Sequence, residues 1–292
     1  MKELARSDLA AECGVENERE GIRVVQGEGN GCPILHVHVK TEEAAARLRK
    51  PVGHYVSVEC GNVALLEGEE MERVCRAIGV ELRSMAEHVC RTRPGRDFSV
   101  LVVGLGNREI TPDAIGPETV RALSVNRHCI AGDPGLSRGR TCRLSAIVPG
   151  VPAATGLETV ETVRGLATEI SPDLIVAVDA LAARSMERLG STVQLSDSGI
   201  QPGSGLGEHP TALTRETVGV PVLSLGLPTV VRSDALALDL LSRAGLPEPE
   251  AWVRQAMKKG EGYVVSPKEI DLLVLNAGVL LAGAIERAFL AL

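Results

Sequence analysis

The chain has 292 residues, 44% of them apolar but only 2% aromatic, and its 31 basic and 38 acidic side chains leave a formal charge of −7. That length buries a substantial core, and an interior of Val, Leu, Ile and Ala suits a parallel sheet covered by helices. The acidic balance without a basic run argues against a nucleic-acid surface and the scarcity of aromatics against a base-stacking platform, while seven dispersed cysteines without a CxxC pair read as reduced thiols rather than a disulfide framework.

The first residues, MKELARSDLAAEC, carry charges where a signal peptide would need an apolar core. Residues 34–39, Ile34-Leu35-His36-Val37-His38-Val39, alternate as a strand exposed on one face does, and residues 53–58 supply a pairing partner. His36 and His38 share one face of that strand and read as a solvated edge. Between the two strands, residues 41–49 have helical spacing with Thr41 as cap. A longer helix is predicted over 67–91, ended by Arg93-Pro94-Gly95-Arg96. Short apolar runs at 98–104, 144–148, 174–178, 192–195 and 220–225 then read as strands, with helical spacing at 117–123, 157–170 and 181–189. This alternation predicts an α/β fold, a three-layer α/β/α sandwich around a mostly parallel central sheet. One domain is expected over 1–292, with 96–292 as its α/β core and 1–95 as an appended N-terminal segment, or subdomain, on the sheet edge. The final apolar stretch contains Asn276, Glu286 and Arg287, which makes it a buried helix rather than a membrane span.

In an open parallel sheet, ligands sit beyond the carboxyl ends of the strands, so the loops that follow strands are where chemistry is sought. In the first such loop, Gly104-Leu105-Gly106-Asn107, the third glycine of a dinucleotide fingerprint would fall on Glu109, which removes that reading. The glycines instead turn the chain so that Asn107 and Asp113 stand at the strand's end. Taken alone, Asp113 reads as an N-terminal helix cap. In the second, Asp179 directly follows five apolar residues, 174–178. Two aspartates at the ends of neighbouring strands can share one proton and act on a water as base and acid. If both stay ionised they hold a divalent metal instead, and the residues leave these two open. In the third, Asp197-Ser198-Gly199 is like the pepsin-type signature, but that mechanism needs two copies in an all-β fold. The following Gly203-Ser204-Gly205-Leu206-Gly207 offers main-chain N–H groups to an oxyanion or a substrate strand, with a plain flexible loop as the alternative. The six histidines form no ligand motif, and neither metal nor cofactor is expected.

Together the segments GLGNREITPDAIGPETV (104–120), PDLIVAVDALAARSMERL (172–189), TVQLSDSGIQPGSGLG (192–207), GVPVLSLGLPTVV (219–231) and SPKEID (266–271), with ARSDLAAE (5–12) and KPVGHYVSVE (50–59), resemble the germination proteases of spore-forming bacteria. The resemblance runs in order over nearly the whole chain. It implies an α/β/α fold like that of hydrogenase-maturation peptidases. It also implies an endopeptidase that starts the degradation of small acid-soluble spore proteins in the cytoplasm of the spore, by an unusual aspartic mechanism and as a homo-oligomer. By motif, the catalytic aspartates fall on Asp113 and Asp179. Asn107, Ser204 and Gly205 match segments that would bind substrate or an oxyanion. Two alternatives stand beside this reading: a metal-dependent maturation-type peptidase using the same carboxylates, and a non-catalytic binding relative. Family members usually carry a propeptide ahead of the segment that here begins at residue 5, so self-processing would remove little. Glu208-His209-Pro210 stands where a basic, Asn-containing stretch is usual.

Overall fold

A computed structural model of the chain describes residues 7–13, 20–132, 141–201, 211–247, 249–259 and 263–290. Among these, nine strands form one sheet: β1 (Ile22–Gly29), β2 (Cys32–Val39), β3 (Gly53–Glu59), β4 (Ser99–Gly104), β5 (Arg143–Ile147), β6 (Leu174–Ala183), β7 (Thr192–Ser196), β8 (Val222–Arg232) and β9 (Val264–Val265). Their spatial order is β1-β2-β3-β7-β8-β6-β4-β5, and β9 pairs with the end of β8.

The sheet is mixed, which corrects the expectation of a mostly parallel one. Only β8, β6, β4 and β5 run parallel. The strands β1, β2, β3, β7 and β9 join antiparallel. Connection length explains the split. Residues 184–191 hold only a 3-10 turn, Met186–Arg188. That is too short for the crossover a parallel return requires, so β7 runs back against its neighbours. β1 and β2 are joined through Asn30 and Gly31, with φ of 52° and 71°, the backbone of a tight hairpin turn. β1 covers the outer side of β2, so His36 and His38 are not on an edge. Instead His36 Nδ1 lies 3.3 Å from His54 Nε2, and the two rings stack.

Helices cover both faces of the sheet, giving the three-layer α/β/α sandwich. On one face the helices Gly68–Cys90, Ile115–Ala122 and Ile270–Phe289 pack over Val100, Val102, Leu174, Val176 and Leu223. On the other, helices Thr159–Ile170 and Arg215–Val218 pack over Leu101, Val103, Ile175, Ala177 and Val222. Alternate residues of each strand serve opposite layers, which is why these strands read as unbroken apolar runs. The Ile270–Phe289 helix has the length and hydropathy of a membrane span, but 61% of its most apolar 18-residue window is buried inside the protein, as in a core helix. The helix at Glu42–Leu48 starts as its sequence predicts, with Thr41 Oγ1 accepting the Ala44 N–H at 3.2 Å. The helix predicted over 181–189 does not form. β6 runs on to Ala183 because Ala182 finds strand partners on both sides, Val230 of β8 and the main chain of Asp8.

Candidate active site

The crevice forms where two neighbouring strands stop at different heights. β4 leads to β5 on one side, whereas β6 lies on the other, so the gap between β4 and β6 is a topological switch point. β4 ends at Gly104, paired with Val178, and β6 continues past it. Leu105 N–H still donates to the Val178 carbonyl at 2.8 Å before the chain leaves the sheet. Asp179 is therefore not the last residue of its strand, as its position after an apolar run suggests. It is the first residue of β6 without β4 beside it.

Asp113 enters from the opposite wall, closing the 3-10 turn Thr111–Asp113. Gly106 makes the approach possible: its φ is 105°, and a Cβ there would overlap the main-chain oxygen of Asp113. The Asn107 N–H donates to Asp113 Oδ2 at 2.7 Å. The turn is also held from β8, where Thr229 Oγ1 donates to the Pro112 carbonyl at 2.6 Å. β8 can do this because its register against β6 shifts. Leu181 faces Pro228, but Ala182 faces Val230, leaving Thr229 as the extra residue of a bulge. A proline inside a central strand fits at such a bulge, since it has no N–H for the ladder.

Residues near the N-terminus form a third wall. The Asp8 N–H donates to the Ala182 carbonyl and the Ala182 N–H donates to Asp8 Oδ2, both at 2.9 Å. Glu12 accepts the N–H groups of Arg184 at 2.7 Å and Ser185 at 2.8 Å. Gln194 accepts from the Ala10 N–H at 2.6 Å and donates to the Asp8 carbonyl at 2.8 Å. Leu9 is fully buried between Leu181 and Ala183.

Asp8, Asp113 and Asp179 thus line one groove of about 1560 Å³. Small-ligand pockets are typically ~300–1,000 Å³, so this groove has room for a peptide segment. Asp179 is only 5% exposed. Burial pushes its carboxyl well above the usual aspartate range, the charges of Asp113 and then Asp8 push it further, and the Ala180 N–H, donating to Asp179 Oδ1 at 2.9 Å, opposes them. Among the described residues no group of three or more His, Cys, Asp and Glu side chains is arranged to hold a metal ion.

Of the residues singled out in the sequence, Asp113 and Asp179 come together in the groove. Asn107 stands behind Asp113: its N–H supports the carboxylate and its own side-chain oxygen accepts the Glu109 N–H at 3.0 Å. Ser204 and Gly205 lie outside the described residues. Asp197 accepts the His54 N–H at 2.7 Å and so ties the end of β7 to β3. Asp8 and Thr229 escaped the sequence reading. Nothing local marks Asp8, whereas Pro228 inside an apolar run was a legible sign of the bulge that aims Thr229.

The family model for germination protease matches residues 1–242. A germination protease of Caldanaerobacter subterraneus subsp. tengcongensis is 36% identical over 97% of this chain and 93% of its own. One of Clostridium acetobutylicum is 33% identical over 97% and 94%, and one of Priestia megaterium is 38% identical over 81% and 66%. Among solved structures, a [NiFe] hydrogenase maturation protease from Thermococcus kodakarensis aligns with 69% of this chain and 99% of its own, at 16% identity and a TM-score of 0.33.

Proposed function

The chain belongs to the germination protease family, and from that premise we propose that it is an endopeptidase that begins the breakdown of small acid-soluble spore proteins, with water activated between Asp113 and Asp179. The observation that carries the mechanism is that these two carboxyls line one groove and the charge of Asp113 acts on Asp179, which is almost wholly desolvated. Two like charges at close range do not both ionise readily, and the buried member keeps the proton. Asp179 then supplies the proton to the carbonyl oxygen or the departing amine. Asp113, whose carboxylate is supported by the Asn107 N–H, takes the proton from the attacking water. The water oxygen bonds to the carbonyl carbon as the peptide C–N bond breaks, and transfer of the proton gained by Asp113 to Asp179 restores the pair for the next turnover.

Asp113→Asn and Asp179→Asn are each expected to lower cleavage of a small spore protein by at least about a thousandfold, with circular dichroism unchanged. Full activity in either variant defeats the pair mechanism. Dialysis against a chelator should leave cleavage intact, and loss that is restored by a divalent ion would favour the metal-dependent reading. Absence of turnover by the unaltered chain would favour a binding relative. A homo-oligomer belongs to the same proposal. Its support is the exposed apolar stripe Leu272, Leu275 and Val279 on the Ile270–Phe289 helix, and light scattering in solution tests it.

A further inference from the structure

We propose that Asp8 is a positioning residue for the aspartate pair: it fastens the N-terminal segment to the open edge of β6 and sets a third carboxylate beside Asp179. The inference rests on reading Asp113 and Asp179 as the working pair.

The geometry has two parts. First, Asp8 uses both its N–H and its carboxylate on a single residue, Ala182, three positions along β6 from Asp179. This occupies the strand edge that β4 leaves open, and Gln194 and Glu12 clamp the same segment from either side. Second, the Asp8 carboxylate lines the groove that holds Asp113 and Asp179. The groups acting on Asp179 are Asp113 from the loop after β4, Asp8 from the N-terminal segment and the Ala180 N–H from its own strand. β8 presents Gly226 opposite Asp179 and adds no charge there. Asp8 and Asp113 therefore act in the same direction, against ionisation of Asp179, and Asp8 does so with Oδ2 engaged by the Ala182 N–H. A tether that was only structural would need the hydrogen bonds but not the charge.

The test separates those two roles. Asp8→Asn keeps an oxygen to accept the Ala182 N–H and removes the charge; Asp8→Ser keeps a shorter acceptor and carries the same expectation should the first variant fold poorly. The full chain is labelled with 13C-carboxyl aspartate, and the Asp179 resonance is assigned by its loss in Asp179→Asn. In the Asp8 variants Asp179 should titrate about one pH unit lower than in the unaltered chain. The alkaline limb of kcat/KM for peptide cleavage should move down with it. Glu12→Gln, which loosens the same segment without altering the charge that acts on Asp179, should leave the midpoint in place. An unmoved midpoint in the Asp8 variants, or an equal movement in Glu12→Gln, overturns the inference. The titration needs no turnover, so failure of the proposed peptidase activity would be seen separately from failure of the role given to Asp8.

Discussion

Asp179 illustrates at the scale of one residue why a buried carboxyl in a groove points to chemistry. Its folded-state affinity for a proton is raised above that of the unfolded chain. Well below the ordinary aspartate range of about 3.9 both states are protonated, and the group leaves stability untouched. As pH rises the unfolded chain releases its proton first, so the folded state loses stability until pH passes the folded value, and the loss then levels off. Asp179→Asn removes that loss. The variant is expected to melt a few degrees above the parent protein at neutral pH, with the gap closing towards about pH 4. Calorimetry at both pH values checks this, and equal melting temperatures throughout would show that burial does not disfavour the charge. In the sequence, Asp113 alone read as a helix cap, and only its pairing with Asp179 at a second strand end favoured catalysis. In the structure both line one groove at the gap between β4 and β6, and that shared position is what supports the catalytic reading.

At the scale of elements, the β6–β8 pair sets the site through its bulge. A regular β8 would keep position 229 in the ladder, and the extra residue is what brings the buried Thr229 to the turn that ends in Asp113. Thr229→Val removes the hydroxyl and leaves the Pro112 carbonyl without that partner, a loss of about 1 kcal/mol. The expected result is a melting temperature lower by about 2–4 °C. Since small misplacements of a catalytic group are costly, kcat should also fall by about tenfold or more. Thr229→Ser should restore most of both, and a fully active Val variant would remove Thr229 from the site. Gly226 constrains the same pair, because a Cβ there would lie 2.7 Å from the Asp179 carbonyl and 2.8 Å from Leu181 Cγ. Gly226→Ala should therefore destabilise by about 1–3 kcal/mol, read from a denaturant melt. The failed helix over 181–189 belongs to this scale as well. Its spacing was helical, but the strand wins because partners distant in sequence, residue 8 and residue 230, satisfy its backbone.

For the molecule as a whole, the N-terminal segment closes the groove from the side that β4 leaves open. Leu9 is fully buried there and holds the segment by packing, while Asp8 and Glu12 hold it by hydrogen bonds. Leu9→Ala is expected to cost about 2–5 kcal/mol and to lower the melting temperature accordingly, with faster proteolytic cleavage ahead of β1. A variant as stable as its parent would mean that the segment contributes little to the fold. By itself the sequence determined the α/β class, most of the strands and the buried C-terminal helix, since apolar periodicity reports burial directly. It also marked Asp113 and Asp179 as candidates, because each comes after an apolar run, towards the carboxyl end of a strand, where such folds place chemistry. Tertiary structure alone decided that β6 outlasts β4, that Thr229 reaches the Pro112 carbonyl and that Asp8 joins the two aspartates in one groove. Each of these depends on which distant backbone satisfies an open strand edge, and hydrogen-bond partners 100 or more residues apart leave no trace in local spacing.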